Sequence, residues 1–124
     1  MNAFDLREID VEIAEKVFGH VVFRNKKGGW SLGPPEYYDD HGESVLLNPL
    51  PLYSELIEDS WKIVGKINSI SPDTQFSLSM DNEGLWQCKF SVNGDVRSFG
   101  ESKNQSSASL AICLAAIELI NNVR

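Results

Sequence analysis

The stretch Phe76-Ser77-Leu78-Ser79-Met80-Asp81-Asn82-Glu83-Gly84-Leu85-Trp86-Gln87-Cys88-Lys89-Phe90-Ser91-Val92-Asn93-Gly94 decides the fold. Phe76, Leu78 and Met80 alternate with polar residues, and Trp86, Cys88, Phe90 and Val92 do the same, which is the period of a half-buried strand. Asn93-Gly94 supplies the two positive-φ positions of a type I′ turn, and Asn82-Glu83-Gly84 supplies the other turn. A shorter third strand is expected around Val96 to Phe99. The result is a three-stranded antiparallel meander with one apolar face.

On the C-terminal side, Ser106 or Ser107 caps an expected helix to about Asn122. Its residues Ala108, Leu110 to Ala116, Ile117, Leu119 and Ile120 are nearly all apolar. A helix apolar all round must be covered on more than one side. It therefore lies between the sheet and another helix, or it contributes to a homo-oligomer interface. Ala108, Ala111 and Ala115 share a face and permit close approach to the sheet. On the N-terminal side, Ser54 is expected to cap a helix with Glu55, Glu58 and Asp59 in its first turns, where acids suit the helix dipole. Ile57, Trp61, Val64 and Ile67 form its apolar stripe, which assigns Trp61 to the core, and Ser69-Ile70-Ser71-Pro72 ends it.

The first helix begins at Asp5, with Leu6, Ile9, Ile13 and Val17 at helical spacing, and ends at Gly19. Between the first two helices, Val21-Val22-Phe23 and Gly29-Trp30-Ser31-Leu32 read as two short strands. Gly33-Pro34-Pro35, Gly42, Pro49 and Pro51 then punctuate a long acidic loop at about 33–53. The whole is expected to be one α+β domain over 1–124, a size that buries a core without disulfides or metal.

The chain carries 18 acids and 11 Lys or Arg, a net charge of −7. All of the imbalance lies between residues 36 and 59, where Glu36, Asp39, Asp40, Glu43, Glu55, Glu58 and Asp59 occur without a base. Direct nucleic-acid binding needs the opposite sign. A one-sided acidic segment instead steers toward a basic protein surface, or serves solubility. Tyr37 and Tyr38, beside Asp39 and Asp40, and Trp30 have the composition of interface anchors. No apolar run reaches the roughly 18 residues of a membrane-spanning helix, and the N-terminus lacks the pattern of a signal peptide.

Motifs for phosphate loops, zinc proteases and hydrolases are missing, so an enzyme is not expected and no cofactor is implied. His20 and His41 have no partner at ligand spacing, and no metal site is expected. Cys88 and Cys113 read as core thiols.

Three further stretches carry a family resemblance: Ala14-Glu15-Lys16-Val17-Phe18-Gly19, the run Pro51 to Val64 containing Tyr53-Ser54-Glu55 and Trp61-Lys62-Ile63-Val64, and Ser109-Leu110-Ala111-Ile112-Cys113-Leu114-Ala115-Ala116. Together they resemble the phage ABA-sandwich domain family, with Phe18 where that family usually has Met. The resemblance implies a small phage or prophage protein in the cytoplasm of an infected bacterial host, with helices packed on an antiparallel sheet.

Three functional expectations follow. The first is a non-enzymatic inhibitor of a bacterial anti-phage defence system, anti-CRISPR-like or otherwise. It would be a homodimer that contacts a basic host protein through Trp30, Glu36, Tyr37, Tyr38, Asp39, Asp40 and Glu43. The second is an oligomeric sponge for a cyclic-nucleotide signal, with Arg24, Lys26 and Lys27 on phosphate and Trp30 on the base. The third, a double-stranded-RNA-binding module, matches the order helix, three strands, helix over 54–124. The charge opposes it, because Lys103 is followed only by Asn104-Gln105-Ser106-Ser107 where that domain is lysine-rich.

Overall fold

A computed structural model describes residues 6–24, 30–31, 50–92 and 95–123. The elements run α1 (Leu6–Lys16), β1 (Phe23–Arg24), β2 (Trp30–Ser31), α2 (Ile57–Ile70), β3 (Thr74–Met80), β4 (Trp86–Val92), β5 (Asp95–Gln105) and α3 (Ala108–Val123). β1 and β2 form a small antiparallel pair, and β3-β4-β5 form the expected antiparallel meander. The α+β arrangement read from the sequence is the one observed.

The first turn of the meander follows local chemistry. Asp81 Oδ1 accepts the N–H groups of Glu83 (2.8 Å) and Leu85 (3.0 Å), and Gly84 takes the positive φ of +81° that closes this turn. Val92 pairs with Asp95, and the expected Asn93-Gly94 turn between them lies outside the described residues. The third strand extends from Asp95 to Gln105, well beyond the expected Val96 to Phe99. Its extension was hidden because the residues that face the helices are Gly100 and Ser102, both buried and neither apolar. An alternation of small and polar residues carries no hydrophobic signal.

The helices lie on one face of the sheet. Cys88 and Phe90 point into them and are buried, while Gln87 and Lys89 on the other face are exposed. α3 packs on β5 and β4, and α1 and α2 pack on α3. This enclosure accounts for the apolar circumference of α3, whose Ala111, Ile112, Cys113, Ala115, Ala116 and Leu119 are all buried within the chain. Of the two alternatives read from the sequence, the sheet-and-helix sandwich is the one found. The expected cap is also found: Ser107 Oγ accepts the Leu110 N–H at 3.1 Å.

α3 approaches β5 at backbone distance. A Cβ built on Gly100 would meet the Ala115 carbonyl oxygen, the Leu119 amide nitrogen at 2.5 Å and Leu119 Cβ at 2.8 Å. One residue pair along, Ser102 Oγ donates to the Ala111 carbonyl at 2.5 Å, and at the far end Asn122 Nδ2 donates to the Phe99 carbonyl at 2.6 Å. Small residues on the strand and alanines on the helix thus form one seam.

Two boundaries differ from expectation. α2 begins at Ile57 with Leu56 as its N-cap and no side-chain cap bond, so Ser54 is not the cap. Asp10 claims it instead. The fully buried Asp10 carboxylate accepts the Ser54 N–H at 2.8 Å and pairs with Arg7 at 2.7 Å, while the Ser54 hydroxyl donates to the Leu6 carbonyl. Arg7 also donates to the carbonyls of Leu50 and Pro51, so one ion pair ties α1 to the chain entering α2. Leu50 and Tyr53, read as the end of the long loop, are therefore core residues. α1 ends at Lys16, and Gly19 (φ +71°) turns the chain so that the His20 N–H reaches the Ala14 carbonyl.

Gly100→Ala forces helix and strand apart along backbone atoms, an overpacking cost of about 3 kcal/mol. Urea denaturation is expected to show a lower midpoint with an unchanged slope, whereas Gly65→Ala, at an open helical position, leaves stability equal or higher. An unchanged midpoint in Gly100→Ala would refute the close seam.

Candidate functional site

The buried stripe of α2 is Ser60, Ile63 and Ile67. It is rotated from the stripe expected from Ile57, Trp61, Val64 and Ile67. The small Ser60 side chain lets α2 close on α3, where its hydroxyl donates to the Ile57 carbonyl and lies 3.5 Å from Ser109 Oγ. This rotation turns Trp61 outward. Its side chain is 52% exposed, a correction to its assignment as core.

Trp61 is nonetheless fixed. Phe90 lies fully buried at the centre of the sheet, Phe76 on β3 packs against it at 5.1 Å between centroids, and Trp61 meets Phe76 edge-on at 5.5 Å. The three rings form a ladder from the core to the surface. On β3 Met80 is 56% exposed, and on α2 and just before it Ile57 and Leu56 are exposed as well. An anchored tryptophan one helical turn from the exposed Ile57 has the composition of an interface centre. The signal in the sequence that could have located it is Ser60-Trp61: a small polar residue where a helix crossing needs close approach.

An apolar cleft of about 170 Å³ is lined by Ile67, Ile70, Thr74, Val92, Leu119 and Ile120. Thr74 Oγ1, at its wall, is the one buried side-chain oxygen or nitrogen without a hydrogen-bond partner among the described residues. The opposite face of the sheet is polar: Gln75, Ser77, Ser79, Gln87 and Lys89 are exposed, Gln87 Nε2 donates to Ser79 Oγ, and the Lys89 ammonium sits 5.2 Å over the Phe99 ring.

Of the residues expected to contact a partner, Glu36, Tyr37, Tyr38, Asp39, Asp40 and Glu43 lie outside the described residues, as do Lys26 and Lys27. The backbones of Arg24 and Trp30 are brought directly opposite each other as paired residues of β1 and β2. Among the remaining acids of the segment, Glu55 and Glu58 are exposed at the head of α2. Asp59 has structural work: Oδ2 accepts the Leu52 N–H at 2.9 Å and Oδ1 pairs with Lys62 at 3.3 Å.

Tyr53 stacks on Phe18 at 5.3 Å, and Phe18 in turn stacks on His20. Burial, and then the charges of Asp59 and Asp10, push the Tyr53 hydroxyl up to about 12 from its ordinary 10.0. A raised folded-state value favours the fold fully below pH 10 and withdraws that support as pH rises toward 12. Burial alone pushes the Cys88 thiol up to about 12, and burial followed by the Asp10 and Cys88 charges raises Cys113. A thiol held protonated and buried is no nucleophile at neutral pH. Labelling with a thiol-specific disulfide reagent at pH 8 is therefore expected to be complete in denaturant and negligible in the native protein. Rapid modification of either cysteine without denaturant would contradict this burial.

No group of three His, Cys, Asp or Glu side chains positioned for a metal occurs among the described residues, and no helix there is long and apolar enough to cross a membrane. Comparison with curated proteins and with solved structures returns no match. The family model of the phage ABA sandwich domain matches residues 12–117, a span that starts within α1, contains α2 and the meander, and ends within α3. The chain belongs to the phage ABA sandwich domain family.

Proposed function

We propose that this phage-family protein acts by binding rather than by chemistry, as an inhibitor that docks on a basic surface of a bacterial defence or nucleic-acid-handling protein in the host cytoplasm. The observation that carries this reading is the charge map: seven acids and no base between residues 36 and 59. The exposed end of that segment, Glu55 and Glu58, leads directly into the helix that displays Trp61. Long-range attraction from the acids raises the encounter rate, and a desolvated tryptophan slows dissociation.

A second reading, a sponge for a cyclic nucleotide, draws support from the pairing of Arg24 with Trp30, which places a cationic and an aromatic residue opposite each other. Its mark is a rise in melting temperature with cyclic dinucleotides.

The test is a pull-down from lysates of bacteria carrying several defence systems, at low and moderate salt, followed by association kinetics on the captured protein. Asp39→Lys with Asp40→Lys is expected to cut the association rate by about tenfold and flatten its salt dependence, with an unchanged melting temperature. Equal kinetics in the two proteins would remove the electrostatic reading. Captured nucleotide without a protein partner would transfer the function to Arg24 and Trp30.

A further inference from the structure

The two edges of the meander are built differently. β5, one edge, carries Asp95, Arg97, Glu101 and Lys103, and its pairing with β4 is interrupted by register shifts at Trp86/Cys88 and Ser91/Val92. Charges and bulges of this kind prevent an edge from accepting another strand. β3, the other edge, has neither. Its seven residues Thr74-Gln75-Phe76-Ser77-Leu78-Ser79-Met80 include no charge and no proline, and they pair with β4 without a break from Thr74↔Val92 to Met80↔Trp86.

We infer that β3 is the dimerisation edge of this protein, and that its occupant is β3 of a second copy, paired antiparallel about a two-fold axis at Phe76. Charge argues for this occupant at this place, because a chain of net charge −7 repels its own copy except along a neutral strip. Side-chain parity sets the register: antiparallel self-pairing must match helix-side residues with helix-side residues, which allows axes at Phe76, Ser77 or Leu78. An axis at Ser77 sets Asp73 against Asp81. An axis at Phe76 opposes Asp73 to Ser79, Gln75 to Ser77 and Thr74 to Leu78, and brings the two Phe76 rings together as a cross-strand aromatic pair. Because Trp61 rests on Phe76, the tryptophans of both copies flank the axis on the helix side of the joined sheet and stay available to a partner. The pairing joins two three-stranded sheets into one of six and satisfies the edge. It places self-association at β3, whereas the apolar α3 that suggested an oligomer is already enclosed within its own chain.

In this register Gln75 of each copy faces Ser77 of the other, and both side chains are exposed on the polar face. A double lysine variant, Gln75→Lys with Ser77→Lys, and a double glutamate variant, Gln75→Glu with Ser77→Glu, each set like charges against one another. Sedimentation equilibrium is expected to show the wild type as a dimer, each variant weakened in self-association by about tenfold, and an equimolar mixture restored through Lys–Glu contacts. Circular dichroism and melting curves confirm that both variants are folded. A wild type that is monomeric up to about 1 mM, a dimer indifferent to both variants, or a mixture that does not recover would each overturn the inference.

Discussion

Everything in this domain is arranged around the contact of α3 with β5 at Gly100. The absence of a side chain at that one position lets the Ala115 carbonyl and the Leu119 amide of α3 lie against the strand. Such proximity brings Ser102 within reach of the Ala111 carbonyl and Asn122 within reach of the Phe99 carbonyl, so three small or polar residues fasten a helix that has few polar atoms of its own. With α3 seated this deeply, α1 and α2 close over it, and a helix too apolar for solvent is covered on all sides that matter.

The same seating explains why an aromatic residue reaches the surface in a fixed orientation. Phe90 faces Gly100 across β4 and β5 and faces Phe76 across β4 and β3. The space over the glycine is taken by the α3 backbone; beside it Phe90 is buried, Phe76 leans on Phe90, and Trp61 leans on Phe76. Rigidity is thereby passed from the seam to an exposed tryptophan, which lowers the entropy lost when it is covered by a partner. The arrangement leaves β5 guarded by charge and irregular pairing, and leaves β3 neutral and regular. The two edges of the sheet accordingly differ in charge and in regularity of pairing.

Much of this was legible in the residues. Alternation at Phe76, Leu78, Met80 and at Trp86, Cys88, Phe90 located the strands, and Ser107 marked the start of α3. The conspicuous failures were at small and polar residues that are buried because they are small. Gly100 and Ser102 hid half of β5, Ser60 concealed the rotation of α2 that exposes Trp61, and Ser54 was read as a cap when the buried Asp10 carboxylate holds it. Hydrophobic periodicity reports where apolar area is buried and is silent about close backbone approach. As for the site, Arg24 and Trp30 are brought opposite each other as paired residues, whereas the acidic and tyrosine residues from Glu36 to Glu43 lie outside the described residues.

Native-state hydrogen exchange separates the backbone-close seam of β5 and α3, which carries the fold, from the unpaired β3 edge. The slowest amides are expected in α3 around Ala111–Ala116 and among the β5 amides around Phe99–Lys103 that bond to β4, both opening only with global unfolding, with faster exchange along β3 in dilute protein. A β5–α3 seam that exchanges as fast as α1, or a β3 that is as protected as β4 at every concentration, would contradict it.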